Sequence, residues 1–166
     1  MSRVMWLRFA RRTPIAELDS GVAVVEGRVV AEKRLVIAGS QTRPVWLDMT
    51  VEVYTTGSRA RGRAMWIPRK AEQQIVAFAV EDEGGRVWID ATDRSRIAVR
   101  GGRREIGSSG KRGTSRYVAR FIAPGDVVRV RGEVRAARKG EGAGKALRPP
   151  EGRPLEILFR KAGDAG

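Results

Sequence analysis

The sequence predicts an all-β fold: a small, partly open β-barrel with a short N-terminal helix and long basic loops. Three observations lead to this prediction. About six short segments have the β-branched composition or the alternating pattern of strands. Helical periodicity is almost absent, and the first strand-like segment carries a glycine near its middle. Bent strands of that kind are typical of small barrels.

The chain begins with a basic arm and a short helix. Residues 1–12 contain four Arg and no acid, and they are too short and too interrupted by Arg for a membrane helix or signal peptide. We expect this arm to be frayed or packed on the fold, and its Trp and Phe also fit a segment lying on an anionic membrane. Thr13 and Pro14 then start a helix of one or two turns at residues 15–18.

Three strands are predicted in the first half of the chain, at residues 22–32, 45–54 and 74–80. Gly27 marks a bend or bulge in the first strand. The second strand has the most regular alternation, which places five apolar residues on one face: Val45, Leu47, Met49, Val51 and Val53. The third is continuously apolar, as expected for a strand covered on both sides.

A hairpin and two further strands complete the predicted fold. The Gly84-Gly85 turn leads into a strand at residues 86–90, with Val87 and Ile89 inward and Trp88 outward. Strands at residues 117–122 and 127–135 flank a Pro-Gly-Asp turn. We expect one shared core, lined by Leu47, Met49, Val51, Val87, Ile89, Val128 and Val130.

The remaining segments are predicted to be irregular. Most of residues 94–116 has the Gly, Ser and Arg composition of a flexible loop. The predicted domain boundaries are a basic arm at 1–12, an OB-like barrel at 13–135, a flexible basic linker at 136–154, and a short strand with a frayed tail at 155–166.

The charge of the chain is concentrated near its ends. Residues 94–166 hold 19 Lys and Arg against 7 Asp and Glu, whereas residues 13–93 are slightly acidic. This asymmetry predicts an anionic partner, which could be nucleic acid, lipid headgroups or an acidic protein. Of the 33 basic residues 27 are Arg, which binds phosphate in a bidentate manner. The same composition is typical of a GC-rich genome, so both explanations stay open.

The chain contains no Cys and no His. Disulfides, zinc sites built from these residues, and Ser-His-Asp or Cys-His catalysis are therefore excluded. Gly110-Lys111 and Gly144-Lys145 lack the first Gly and the Ser or Thr of a phosphate-binding loop. We expect no enzymatic activity, no metal and no cofactor.

Two groups of residues are candidates for binding. Phosphates would be bound by basic residues of the predicted loop and of the following strand: Arg100, Arg103, Arg104, Lys111, Arg112, Arg116, Arg129, Arg131 and Arg135. Bases would stack on the aromatic residues in outward register, namely Trp46, Tyr54 and Trp88. Alternatively, these rings pack under the N-terminal arm or under residues 65–67.

Four stretches resemble the GIDE-type domain, also called the BAM (beside-a-membrane) domain. Residues 15–29 are similar to its "IADL…G…VEGRV", and residues 40–46 to its "SPLTGRPCVWY", with Val45 replacing the usual Cys. Residues 78–90 resemble "PFLLEDGTGRVLVDP", with Ala91 where its final Pro is expected, and residues 124–134 resemble "PGDRVYVLGEV". The resemblance covers about residues 13–135 and implies a barrel of the oligonucleotide/oligosaccharide-binding (OB) kind.

Family members usually have flanking transmembrane helices, and the mitochondrial ubiquitin ligases among them end in a RING, which needs Cys and His. This chain has neither residue and no apolar span, so the resemblance implies a non-catalytic sensing or docking module. We expect a module that docks onto single-stranded nucleic acid or another polyanion through Arg-rich loops. The alternative is a protein-interaction or scaffold subunit of a larger or membrane-associated complex. We expect a cytoplasmic location, with peripheral membrane contact as a variant.

Overall fold

The computed structural model describes residues 5–55, 64–108, 114–139, 141 and 144–161. Within these residues the fold is all-β, as predicted, and helical structure is limited to 3-10 turns at Met5–Arg8, Ile15–Glu17 and Arg94–Arg96. The strands are β1 Val22–Val30, β2 Trp46–Thr55, β3 Met65–Ile75, β4 Phe78–Glu81, β5 Arg86–Ile89, β6 Ile97–Arg100, β7 Arg103–Ser108, β8 Ser115–Ile122, β9 Val127–Ala136, β10 Lys145–Arg148 and β11 Leu155–Arg160.

Five strands form a closed, OB-like barrel. The ring runs β1-β4-β5-β10-β9 and returns to β1, so the barrel is closed, whereas the sequence predicts a partly open one. Neighbours in the ring are antiparallel except β5 and β10, which are parallel. The barrel closes along a long pairing between β1 and β9, which we call the seam. At Arg28 the pairing partner of β1 changes from β9 to β4. Gly27 lies at this point and allows the close approach of the two backbones, because a Cβ there would lie 2.3 Å from the carbonyl oxygen of Glu81.

The barrel core contains part of the predicted core. Val87, Ile89, Val128 and Val130 are fully buried there, as the alternation predicts. Leu47, Met49 and Val51 were expected in the same core, and that expectation is wrong. Leu47 and Met49 belong to a second apolar cluster, with Ile37, Tyr117, Ala119 and Phe121, and Val51 is only half-buried. The reason is that β2 belongs to the second sheet from its first residue, Trp46, and only Val45 and Trp46 at this end of the segment reach the barrel core.

A second, four-stranded sheet has the order β3-β2-β8-β7. It is built from two hairpins, each of which lies between two barrel strands along the chain: β2–β3 between β1 and β4, and β7–β8 between β5 and β9. The segment that carries Leu35 and Ile37 covers one face of this sheet. The opposite face holds more exposed side chains, which makes it the place to search for a binding surface.

The described parts of two segments predicted to be flexible are built into the fold. Residues 94–116 contain β6, which pairs in parallel with β11, and β7, which pairs with β8. Gly101 and Gly102, with φ of 79° and 135°, carry the chain from one sheet to the other. The predicted linker 136–154 contains β10, which is a strand of the barrel itself. Long-range pairing, rather than local composition, forms the strands of both segments.

Candidate functional site

The three predicted phosphate-binding arginines of β9 face away from the barrel core but do not face solvent. Arg129 is 2% exposed. It donates to Glu26 on β1 at 2.7 Å and also to the backbone carbonyls of Leu7 and Arg8 in the N-terminal turn. Breaking such a buried ion pair would leave a buried charge without a partner. Arg129 therefore stabilises the fold and is not free to bind a phosphate.

Arg131 and Arg135 are also engaged inside the molecule. Arg131 lies 3.7 Å from the buried carboxylate of Glu156, and its guanidinium is 5.3 Å from the ring centre of Trp6. Burial, with the nearby charge of Arg153, lowers the pKa of Arg131 from its ordinary value. Arg135 donates twice to Glu141, at 2.6 and 2.8 Å, and once to Asp90 at 3.1 Å. The three predicted phosphate-binding arginines of β9 are therefore all paired with carboxylates of the fold, and their binding of phosphate stays a prediction.

The predicted residues around β7 divide into three groups. Arg103 donates to Asp126 at 2.7 Å, and this hydrogen bond raises the pKa of Arg103. Asp126 is buried and also accepts from the backbone of Ala123, so this pair fixes β7 to the β8–β9 turn. Arg100 and Arg104 are exposed and form no ion pair with any other residue that the structure describes. Lys111 and Arg112 lie outside the described residues.

Arg116 belongs to a cluster of three side chains from three adjacent strands. Its guanidinium lies 4.3 Å from the ring centre of Trp66 on β3 and 3.2 Å from the carboxylate of Glu52 on β2. Trp66 in turn makes an edge-on contact with Tyr54, with 5.3 Å between the ring centres. Tyr54 is 46% exposed. We call Tyr54, Trp66 and Arg116 the aromatic cluster.

Strand register extends this cluster into a continuous surface. Arg116, Val118 and Arg120 alternate along β8, and residues directly opposite one another on neighbouring strands share a face. Ile106 of β7 is opposite Val118, and Arg104 is opposite Arg120. Ile106 is 58% exposed. The resulting surface, which we call the open face, includes Tyr54, Trp66, Arg104, Ile106, Arg116 and Arg120, with the acidic Glu52 and Asp48 of β2 opposite Arg116 and Arg120.

Two of the three predicted stacking residues are not part of the open face. Trp46 is buried in the barrel core, so its ring is not exposed for stacking. The guanidinium of Arg120 lies 5.1 Å from the centre of this ring. Trp88 is half-buried on the outside of the barrel, opposite Ala79 and Ala146. Sequence reasoning missed Trp66, Ile106 and Arg120 as surface residues, although the period-2 pattern relating Arg116 to Arg120 was an available signal.

No protein-family model, curated protein or solved structure matches the chain. The resemblance to the GIDE-type domain therefore stays a prediction. Across the described parts of the chain, no helix is long and apolar enough to cross a membrane. In the same residues, no group of three or more metal-ligating side chains is placed to hold an ion.

Proposed function

We propose that this chain is a non-catalytic binding module that docks onto single-stranded nucleic acid through its open face. The observation that carries the proposal is the aromatic cluster, in which an exposed Tyr and a half-buried Trp lie beside an Arg. Single-strand binders combine aromatic platforms for bases with cations for phosphates. A docking module is also what the resemblance to the GIDE-type domain implies.

The positions of the cations suit a flexible polyanion. Arg116 and Arg120 are four residues apart on β8, which corresponds to about 13 Å along a strand. Arg104 lies beside Arg120, and Arg100, the last residue of β6, shortly precedes β7 in the chain. Bases would stack near Tyr54 and Trp66, while phosphates would meet these arginines along the sheet. The surface offers no helix for a duplex groove, so recognition should be largely independent of sequence.

Two of these arginines already have acidic partners. Arg116 pairs with Glu52, and Arg120 lies 3.3 Å from Asp48. These pairs are partly exposed, and such pairs contribute little to stability and are screened by salt. A phosphate can therefore share the guanidinium at a small cost. The exposed Arg104, which has no acidic partner among the residues that the structure describes, would bind a phosphate without such competition.

A second candidate function is docking of a protein through the edge of the second sheet. β7 is a terminal strand of that sheet, and it presents the 58% exposed side chain of Ile106. Unpaired sheet edges accept an added strand from a partner. This candidate predicts that Ile106→Lys abolishes partner binding. If the wild-type protein binds no oligonucleotide, protein docking would replace nucleic-acid binding as the proposed function.

Binding of labelled single-stranded DNA and RNA, measured by fluorescence anisotropy against a duplex of the same sequence, tests the first proposal. We expect Tyr54→Ala to weaken single-strand binding by about tenfold or more, since one stacked base contributes about 1–3 kcal/mol. Arg104→Ser should flatten the dependence of log affinity on log salt by about 0.7, the value for one phosphate on a single strand.

Arg86→Ser is the matched control. Arg86 is an exposed arginine of β5, on the barrel, and it pairs with Glu81 at 2.7 Å. Its replacement changes the net charge by the same amount as Arg104→Ser, but it should leave the salt dependence unchanged. Equal effects of the two substitutions would mean that net charge alone attracts the oligonucleotide, and the open face would then not be the site.

A further inference from the structure

The N-terminal turn, residues 5–12, is held rigidly against the barrel. Leu7 is fully buried and packs with Val24 and Leu158. Arg129, itself buried, donates to the carbonyls of Leu7 and Arg8. On the far side of the turn, the backbone N–H of Thr13 donates to Val24 at 2.8 Å. The turn is thus fixed both before and after its central residues.

This fixed turn nevertheless presents an aromatic ring to solvent. Phe9 is 81% exposed, and it directly follows the buried anchor at Leu7 and the carbonyl of Arg8 that Arg129 holds. Its backbone N–H donates to Trp6 at 3.0 Å, so the two aromatic residues belong to one tight turn. Trp6 is also partly exposed, while one side of its ring faces Arg131. Because the backbone of the turn is held by these contacts, fraying does not explain the exposure of Phe9.

The charged side chains of the turn itself are all of one sign. Residues 5–12 contain Arg8, Arg11 and Arg12 and no acid, and all three arginines are exposed. Aromatic rings flanked by cations are typical of segments that lie in the interface of an anionic bilayer, where the rings enter the acyl boundary and the guanidinium groups meet lipid phosphates. A base of a single strand can also stack on an exposed aromatic ring, so the experiment below measures oligonucleotide binding beside vesicle binding.

We propose that the N-terminal turn is a preformed membrane-docking element that inserts Phe9 and the edge of Trp6 into an anionic lipid surface. Arg8 and Arg11 would contact the headgroups. The element is separate from the open face in residues and in ligand, so this proposal does not depend on the proposed function. Because the turn is already fixed, docking costs little ordering entropy. One short element gives weak, reversible attachment.

Sedimentation with two kinds of vesicle tests this proposal: phosphatidylcholine alone, and phosphatidylcholine mixed with phosphatidylserine. The wild type should partition only onto the mixed vesicles. Phe9→Ser leaves the charge unchanged and should reduce partitioning about tenfold, as expected for losing a partly inserted aromatic ring. Val36→Ser is the matched control, because Val36 is 68% exposed on a different segment. It should partition like the wild type.

The absence of cysteine allows a second measurement that reports depth. Phe9→Cys and Val36→Cys each provide a single attachment point for an apolar fluorophore, which at position 9 takes the place of the lost ring and whose emission shifts to the blue in an apolar environment. Only the label at position 9 should shift when mixed vesicles are added. Melting curves of each variant check that the fold is intact, which is expected because both side chains are exposed.

Two results would overturn the proposal. One is that Phe9→Ser partitions like the wild type, or that the label at position 9 stays in an aqueous environment. Either observation would mean that the vesicles attract only the net charge of the chain. If Phe9→Ser instead weakens binding to oligonucleotides and leaves vesicle binding unchanged, the turn belongs to a nucleic-acid interface. Tyr54→Ala should leave vesicle binding unchanged, which separates this proposal from the one for the open face.

Discussion

Arg129 on β9 and Glu26 on β1 are opposite one another across the seam that closes the barrel, with 2.7 Å between Nε of Arg129 and Oε1 of Glu26. Glu26 also accepts from Arg12, and Arg160 on β11 lies 3.5 Å from the same carboxylate. Three guanidinium groups thus surround one partly buried acid. Through Arg129 the same pair holds the N-terminal turn, so seam closure and the position of the turn are linked.

Replacing Arg129 should therefore destabilise the whole fold. We expect Arg129→Met to lower the free energy of unfolding by about 3–5 kcal/mol, because it leaves Glu26 without its main partner and the carbonyls of the turn without a donor. Urea denaturation followed by circular dichroism measures this. Arg86→Met, which breaks an exposed pair, should cost less than about 1 kcal/mol. Equal costs for the two variants would mean that the seam does not depend on this pair.

Stability should fall with acidification and vary little near neutrality. Burial raises the pKa of Glu26, but the hydrogen bond and charge of Arg129 outweigh it and leave that pKa below the ordinary 4.5. Hydrogen bonds from Arg135 likewise lower the pKa of Glu141. A carboxylate whose pKa is lower in the folded protein than in the unfolded chain stabilises the fold. This stabilisation is complete above the pKa of the unfolded chain, and it is lost as the pH falls through the pKa of the folded protein.

Thermal melting across pH measures this effect. We expect a decline that begins below about pH 4.5, the ordinary pKa of a Glu, and continues to lower pH. Glu26→Gln should make that decline shallower. Since the chain has no His, no side chain with a pKa in its ordinary range titrates between about pH 6 and 8. A melting temperature that changed strongly in that interval would contradict this account.

Leu147 tests whether β10 is a barrel strand. The sequence around it has the composition of a flexible linker, yet its side chain is fully buried in the barrel core. We expect Leu147→Ala to cost about 2–5 kcal/mol of stability and the amides of β10 to exchange slowly with solvent. The neighbouring Lys145→Ala should change stability by less than about 0.5 kcal/mol, because that side chain is exposed. Rapid exchange throughout β10 would show that the barrel is open at this strand.

Gly27 tests the close approach of β1 and β4. A methyl group at this position would lie 2.3 Å from the carbonyl oxygen of Glu81, which is part of the backbone and cannot rotate away. Gly27→Ala should therefore destabilise the protein by about 2 kcal/mol or more. Gly152→Ala adds a methyl group in open space at φ of 67°, and it should cost only about 1 kcal/mol from backbone strain. A larger cost at Gly152 would contradict this ranking.

The strand pattern of the sequence predicted much of the barrel correctly. Alternation placed Val87, Ile89, Val128 and Val130 in the core because the two faces of a strand differ in contact with water. It could not distinguish the barrel from the second sheet, so Leu47 was assigned to the wrong core. Nor could it find β10, because Ala146 and Leu147 form too short an apolar run to indicate a strand by themselves.

The candidate site was predicted less well, for a related reason. Alternation correctly turned Arg129 away from the core, but solvent access on that side depends on Leu7 and Arg8, which lie more than 100 residues earlier in the chain. Trp66 meets Arg116 only because β3 and β8 both pair with β2. No local pattern encodes either juxtaposition.

By itself the sequence determined the all-β class, the inward residues of several strands, the excess of Arg, and the exclusion of chemistry that requires Cys or His. The tertiary structure alone decided which arginines remain available to a ligand. Arg129, Arg131 and Arg135 became internal partners of carboxylates, whereas Arg104 stayed exposed. Charge is a property of composition, but the availability of a charge depends on partners that the fold brings from distant parts of the chain.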